Sequence, residues 1–494
     1  MGALGVDIGT TGCKAVLFDD KFQIVAVAHQ TYKLYIPSPE CKELDVEEVK
    51  SAIFNCIYQC CNGGRGEMVE AISFSAQGEA VVAIDQNGYV LGKAMVSFDT
   101  RDINEVEQIS STMDMEQMVS QTGVPLHTMF TLPKILWMKK HTPDIYYKTW
   151  KFMCFADYLA YTLGAPPVMD YSLASRTMIF DVTHKKWNEN ILKTFGLDVD
   201  KFPQLAPSGT QIGTVSEEMG LKVGLVPGTA IVTGGHDQVC CGLGSGVLSD
   251  GKAMNSMGTT DTLLCVSSVF YSGTQQLKFN IPCGCYYDGE LFANHSFVLT
   301  TGSVINWFRY HFFGKKIPSF LELEKLLKEK LEPTGMIFLP HFSGAGTPTL
   351  NSHAKGAWIG MGLETDIVDL YKAILEGNSY ECKLNMENME NAGISINSIR
   401  CIGGASVSEE YLQIKADIYG KIVEQVEIEE AGCVGAALMA MHGIGKIQYY
   451  EKFLEDKIKI KKIFKPREEI SQKYQELYKK YKEFHQLMDG FYKN

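Results

Sequence analysis

At 494 residues the chain is too long for one hydrophobic core, and two large domains are the expectation. Its 45% hydrophobic and 21% charged residues are those of an ordinary globular protein, and a formal charge of −12 excludes a general nucleic-acid surface, which needs a basic field. Fourteen scattered cysteines without a paired CxxC spacing read as reduced thiols packed as small apolar groups. No signal-peptide pattern and no apolar run of membrane-spanning length is visible, so a cytoplasmic protein is expected.

Residues 4–8, 13–18 and 24–28 are short apolar runs divided by Gly9-Thr10-Thr11-Gly12 and by Asp19-Asp20, which predicts three sequential antiparallel strands. A helix is expected over 46–59 and strands over 70–75 and 80–85, and helix formers dominate 113–163. The second half repeats the opening, with strands over 252–257, 262–267 and 291–299 around a second turn, Gly258-Thr259-Thr260. A helix over 366–377 follows, then a strand over 398–402 running into Gly403-Gly404, a helix over 409–419 and a small-residue helix over 434–441. Ile470, Tyr474, Leu477, Tyr478, Tyr481, Phe484 and Leu487 recur at helical spacing and read as the packing face of a C-terminal helix. The boundary is placed near Gly244-Ser245-Gly246, giving domains 1–245 and 246–494.

The twin Gly-Thr turns carry the most information. In each, an apolar run stops at glycine, which lets a backbone approach an anion closely, and the threonines add hydroxyl donors beside the backbone N–H groups. Two such turns in different halves suggest a common polyphosphate. A third glycine-rich strand end, Gly403-Gly404-Ala405-Ser406, suits the flat face of an adenine or ribose, or is a simple strand–helix junction. None fits the P-loop or the dinucleotide fingerprint, which leaves phosphoryl transfer on a different architecture.

Such a transfer needs a base, a metal and donors that hold the reactants in line. Asp237, in Gly234-Gly235-His236-Asp237-Gln238, is the candidate base and equally a candidate cap for the helix that follows. His236 is read as bonding the backbone, with tuning of Asp237 as the alternative. Asp7 is the candidate acid near a metal, and Lys14 is either a phosphate ligand or a solvated strand lysine. Gln77, Glu79, Asp99 and Arg101 lie at strand ends and turns of the same half, and suit a site that chelates neighbouring hydroxyls. Asp99-Thr100-Arg101 reads as well as a turn with a surface salt bridge.

In this order and over essentially the whole chain, four segments resemble the signatures of the FGGY carbohydrate kinase family, within the actin/hexokinase/Hsp70-like ATPase superfamily. They are Asp7-Ile8-Gly9-Thr10-Thr11-Gly12-Cys13-Lys14-Ala15-Val16, Thr131-Leu132-Pro133-Lys134-Ile135-Leu136-Trp137, Gly258-Thr259-Thr260, and Gly403-Gly404-Ala405-Ser406 with the run 413–420. The resemblance implies an α/β fold of two ribonuclease-H-like domains flanking a nucleotide and sugar cleft, with ATP and Mg²⁺ as cofactors. It implies Asp237 as base, and Asp7 with Asp237 at the Mg²⁺. Thr10, Thr11 and Lys14 would approach the phosphates from one side, and Gly258, Thr259 and Thr260 from the other. Gly302 and Asn306 match positions lining the nucleotide cleft, and Gly404 and Ser408 positions near the adenosine. Gln77, Glu79, Asp99 and Gln238 are assigned to the substrate.

The partner expected is a small sugar or polyol, with no nucleic acid and no membrane. Family members are often homodimers, and no segment here marks an interface. At the substrate the pattern divides. Leu339-Pro340-His341-Phe342-Ser343-Gly344, Thr347-Pro348 and Asp170-Tyr171-Ser172-Leu173-Ala174-Ser175 look like xylulose kinases. Those enzymes usually carry Met-His where this chain has Gly78-Glu79, and Gly-Asp-Asn where it has His236-Asp237-Gln238. Gln77-Gly78-Glu79 is closer to the Gln-Arg-Glu of glycerol kinases, without their arginine. The reading is a kinase of a small sugar, a ketopentose such as xylulose first, with glycerol, a tetritol or another polyol as the alternative. A nucleotide-gated binding protein and a dead kinase used as a sensor are the rivals from other classes.

Overall fold

The structure, a computed structural model, describes residues 2–314 and 317–493. Two mixed sheets of seven strands each dominate it. The first opens with β1 (Gly2–Ile8), β2 (Gly12–Phe18) and β3 (Ile24–Thr31), which pair antiparallel in sequence. Helix α1 (Val46–Cys61) carries the chain back so that β4 (Val69–Ala76) lies parallel to β1 on its other side. After a largely helical insert come β5 (Gln211–Thr214), β6 (Ala230–Val232) and β7 (Gly235–His236), of which β6 and β7 pair parallel with β4. Helix α2 (Asp237–Gly244) leads out of this sheet.

The second sheet repeats the connectivity. Strands β8 (Gly251–Met257), β9 (Asp261–Ser267), β10 (Cys283–Cys285) and β11 (Phe292–Val298) form its antiparallel side. Helices α3 (Gly302–Phe312) and α4 (Ile367–Asn391) precede β12 (Ile396–Ile402), which is parallel to β8. Helix α5 (Glu409–Tyr419) then leads to β13 (Ile422–Glu427), parallel to β12. The order β3-β2-β1-β4-β6 thus recurs as β11-β9-β8-β12-β13, the ribonuclease-H-like core twice over. Helix α6 (Ala431–Gly443), the edge strand β14 (Lys459–Phe464) and helix α7 (Glu468–Lys493) complete the chain.

Strand alternation positions the site. Leu4, Val6 and Ile8 face one side of β1 and share a core with Val49, Ile53 and Ile57 of α1. Ala3, Gly5 and Asp7 therefore face the other side, where α6 lies. This is a close approach: a Cβ on Gly5 would run into the Cys433 carbonyl, and one on Gly435 into that of Cys240 in α2. Residues 431–441 are all buried, so the absence of a polar stripe in this helix follows from its being covered all round. Asp7, last of its face, consequently reaches the amino end of α6, where a Cβ on Gly432 would stand 2.7 Å from Asp7 Oδ1.

Three expectations are corrected. The helix expected over 366–377 continues to Asn391, because Gly377 packs against Phe338 and does not act as a stop. The strand expected over 80–85 is Val82–Ile84, paired with Lys151–Met153 outside both main sheets. On α7, Tyr474, Tyr478 and Tyr481 are buried but Leu487 is 65% exposed, so the packing face ends before it. All fourteen cysteines are free thiols, and all but Cys41 and Cys241 are buried. Among the described residues no helix is long and apolar enough to cross a membrane.

Candidate active site

The two Gly-Thr turns are the hairpins that join β1 to β2 and β8 to β9. Gly9 N donates to Gly12 O at 3.0 Å, and Gly258 N donates to Thr260 O at 3.0 Å. The first turn is braced by the Tyr32 hydroxyl, which donates to the carbonyls of Gly9 and Gly12, and by Gln77. Thr10 Oγ1 donates to Gln77 Oε1 at 3.0 Å while Gln77 Nε2 donates to Gly9 O at 3.3 Å, so this amide holds the turn. The second turn rests on a buried ion pair. Lys415 Nζ of α5 lies 2.9 Å from Asp261 Oδ2 and also donates to Asn255 and Tyr419. Burial works against the lysine charge, but Asp261 together with Tyr411, Tyr419 and Cys382 outweighs it and raises the Lys415 pKa. Thr301 Oγ1 donates to the other Asp261 oxygen at 3.0 Å, which ties the start of α3 to the same turn.

A cavity of about 630 Å³ opens on one side of the second turn. Its walls include Gly258, Thr259, Gly302, Asn306, Gly404 and Ser408, so the sequence reading placed six residues on one surface that the fold does bring together. Ser408 also caps α5, its Oγ accepting from Tyr411 N at 3.2 Å. Tyr371, Tyr411, Ile305 and Phe320 supply apolar lining suited to a flat base.

On the other side lies a cavity of about 180 Å³. Thr260 and Thr10 line it from the two turns, and Gln77, Glu79, Asp237 and Gln238 are in its wall. Asp237 is the first residue of α2, with Oδ1 accepting from Gln238 N at 2.6 Å. Burial, then the nearby carboxylates of Asp7 and Glu79, push its pKa up to about 7. Asp7 is raised too, chiefly by burial, although Ser75 Oγ donates to it at 2.5 Å. The backbone before Asp237 is anchored by a relay: His236 N donates to Ser172 Oγ at 2.8 Å, and Ser172 Oγ donates to Asp170 Oδ1 at 2.5 Å.

Several side chains depart from expectation. His236 does not bond the backbone through its ring; Nδ1 is buried without a partner and Nε2 lies 3.4 Å from Asp237 Oδ1. Burial, with Arg176 and His295 nearby, holds its pKa well below the usual range, so the imidazole is neutral. Asp99 is not brought to the cavity: it is fully buried and both oxygens are taken by Arg101, with Lys42 N at 2.7 Å. The salt-bridge reading of that turn holds, although the pair is buried rather than on the surface. Thr11 and Lys14 line neither cavity. Lys14 Nζ is held at 2.7 Å by both oxygens of Glu430, the residue before α6, which has a left-handed backbone.

The sequence reading missed Arg176, His295 and Glu430. Arg176 Nε donates to Glu79 Oε1 at 2.5 Å, Nη2 meets the same oxygen, and the guanidinium lies 5.0 Å from the Phe130 ring centre. It follows directly on the Asp170–Ser175 segment, yet no local pattern points it into a cavity. His295 has the strand alternation of β11 as its only signal. Glu430 and Lys14 are far apart in sequence, and nothing local links them.

Models of the FGGY family of carbohydrate kinases match the chain, the N-terminal domain over residues 2–244 and the C-terminal domain over 253–444. A xylulose kinase of Staphylococcus epidermidis is 30% identical over 97% of this chain and 95% of its own. A gluconokinase of Bacillus subtilis is 27% identical over 91% of this chain and 88% of its own. The crystal structure of a ligand-bound xylulose kinase from Lactobacillus acidophilus shares the fold, with a TM-score of 0.91 at 21% identity over 99% of both chains. On these matches, which span both halves, the chain belongs to the FGGY family of carbohydrate kinases.

Proposed function

We propose that this carbohydrate kinase phosphorylates a small neutral ketose, a ketopentose such as xylulose, by in-line transfer of the γ-phosphoryl group of ATP. The cleft would lie between domains 1–245 and 246–494. One observation carries the reading: the turn 258–260 lines both cavities, with Gly258 and Thr259 on the larger side and Thr260 on the smaller. A nucleotide seated in the larger cavity would therefore present its terminal phosphate across this turn to a hydroxyl beside Asp237. Thr10, through its backbone N–H, and Thr260 would donate to the moving group from opposite sides, and Asp237 would accept the hydroxyl proton. The amino end of α6 lies beside Asp7, and a helix start there favours phosphate oxygens.

Asp7 and Asp237 fit a hard divalent cation such as Mg²⁺, being oxygen donors, and burial followed by the Asp7 charge raises the Asp237 pKa. Mg²⁺ usually takes one or two carboxylates and completes its shell with phosphate oxygens and water, spreading charge from the phosphates when bound. Asp7 would hold it from the end of β1 while Asp237 remains on the hydroxyl side.

The smaller cavity favours a neutral sugar over an anionic one. Its volume corresponds to about six water molecules. Its one arginine is already neutralised by Glu79, so a carboxylate such as that of gluconate finds no free cation among the described residues of the wall. Gln238 Oε1 is buried without a partner and would accept a sugar hydroxyl.

A panel of xylulose, ribulose, gluconate, glycerol and erythritol, read by ADP release, tests the assignment. Xylulose is expected to give the highest kcat/KM, and a preference for gluconate or glycerol would overturn it. A second measurement follows from the base. Asp237 works deprotonated, so kcat/KM for the sugar rises with pH and levels off above its pKa. The limb should fall between the ordinary carboxylate value of 3.8 and about 7, because a bound cation pulls down what burial pushes up. A profile flat from pH 4 to pH 8 would remove Asp237 from the role.

A further inference from the structure

The second domain contains a group of side chains that the kinase chemistry does not use. His341, Glu381 and His485 come from three separate segments: the loop after the strand Ile337–Leu339, the middle of α4, and α7. All three are buried, at 5%, 1% and 5% exposure. Their ligand atoms lie within 4.8 Å of one another. Neither cavity of the active site has any of them in its wall.

We propose that these residues bind one divalent transition-metal ion, Zn²⁺ by its donor preference, as a staple holding α7 to α4. Two distances support this. Glu381 Oε1 lies 3.3 Å from His341 Nε2 and 3.3 Å from His485 Nε2. Zn–N and Zn–O bonds of about 2.0–2.1 Å in tetrahedral geometry give edges of roughly 3.3–3.4 Å between ligand atoms. An N–H···O bond prefers about 2.9–3.0 Å, so the observed spacing suits a shared cation better than direct bonding. His341 Nε2 makes no directed hydrogen bond despite its burial and its aim at the carboxylate.

The surroundings orient the donors. The Tyr481 hydroxyl, one turn before His485 on the same face of α7, donates to Glu381 Oε2. That contact leaves Oε1 as the ligand atom and fixes its direction, as outer-shell donors do in zinc sites. Two imidazoles and a carboxylate form a borderline N₂O set suited to Zn²⁺, with water as the fourth ligand. The metal would link loop, helix and helix, none of which are neighbours in sequence.

The test uses the full-length protein stripped by a chelator and titrated with Zn²⁺, with metal content measured after dialysis. Wild type should retain one ion per chain, and thermal unfolding should move up on loading. His341→Asn and His485→Asn should each bind about 100-fold more weakly and show no thermal shift. Co²⁺ in place of Zn²⁺ separates this site from the thiols: visible d–d bands without a thiolate charge-transfer band are expected. Tyr481→Phe retains all three ligands and should weaken binding about 10-fold, which serves where a histidine variant does not fold. Wild-type affinity in the histidine variants, no ion retained by the wild type, or a thiolate-dominated Co²⁺ spectrum would each overturn the proposal.

Discussion

Asp237→Asn lowers kcat by about 10²–10⁴-fold, the usual contribution of a positioned general base, and leaves ATP affinity near that of the wild type. The asparagine preserves the shape of the first residue of α2 and the bond from Gln238 N, so the helix start and the cavity wall persist. It removes the only group among the described residues of the smaller cavity that combines a carboxylate with a pKa raised to about 7. Glu79 also lies in that wall, but its oxygen is occupied by Arg176 and cannot take the proton without breaking a buried pair. ATP affinity is insulated because the larger cavity is built from the other sheet, by residues of α3, α4 and α5. Steady-state ADP release and a nucleotide titration measure the two quantities separately. Turnover near the wild-type level in this variant would sink the assignment, and lost ATP binding would show that Asp237 acts chiefly through the phosphates.

The parts legible in the sequence were those set by neighbours along the chain. The runs flanking each Gly-Thr turn alternate and stop at glycine, so the hairpins Ile8–Cys13 and Met257–Asp261 could be read directly. The residues that line the larger cavity could be grouped because they sit at strand ends and helix starts, where short patterns carry geometry. What escaped was set by contacts between distant segments. The partners of Glu79 and Lys14 are Arg176 and Glu430, in an inserted helical region and in the far half of the chain. Gly377 looked like a helix stop because its reason for being small, the Phe338 contact, is invisible locally. Asp99 looked available because its burial under Arg101 depends on the β-hairpin that includes Lys42 and Glu43.

Two departures from the xylulose-kinase pattern resolve into one. Where Met-His is usual this chain has Gly78-Glu79, and where glycine precedes the base it has His236. A Cβ on Gly78 would stand 2.7 Å from His236 Cδ2 and 3.2 Å from Arg176 Cγ. A side chain at 78 would therefore collide with the imidazole arriving from 236 unless one of the two moved. Arg176 crowds the same glycine through its Cγ while its guanidinium pairs with Glu79. The wall of the smaller cavity thus holds a neutral imidazole, His236, and a compensated carboxylate, Glu79 paired with Arg176.

Arg176→Met should be the most damaging substitution outside the base. Side chains of Arg176 and Glu79 are 9% and 4% exposed, so removing the guanidinium strands a buried carboxylate, at a cost of about 3–5 kcal/mol. Methionine keeps most of the volume over Phe130, so the loss reflects charge more than packing. Part of it will appear as a lower denaturation midpoint, and part as sugar kcat/KM reduced by roughly 10²-fold, because the wall of the smaller cavity carries both residues. Arg176 also lowers the Asp237 pKa, so its loss moves the acidic limb of the pH profile upward. Adding Glu79→Gln to this variant removes the stranded charge and should restore most of the stability while leaving the sugar poorly bound. That separation distinguishes a substrate-positioning pair from a structural one: a double variant recovering stability and full sugar kcat/KM together would show that Glu79 and Arg176 only hold the fold.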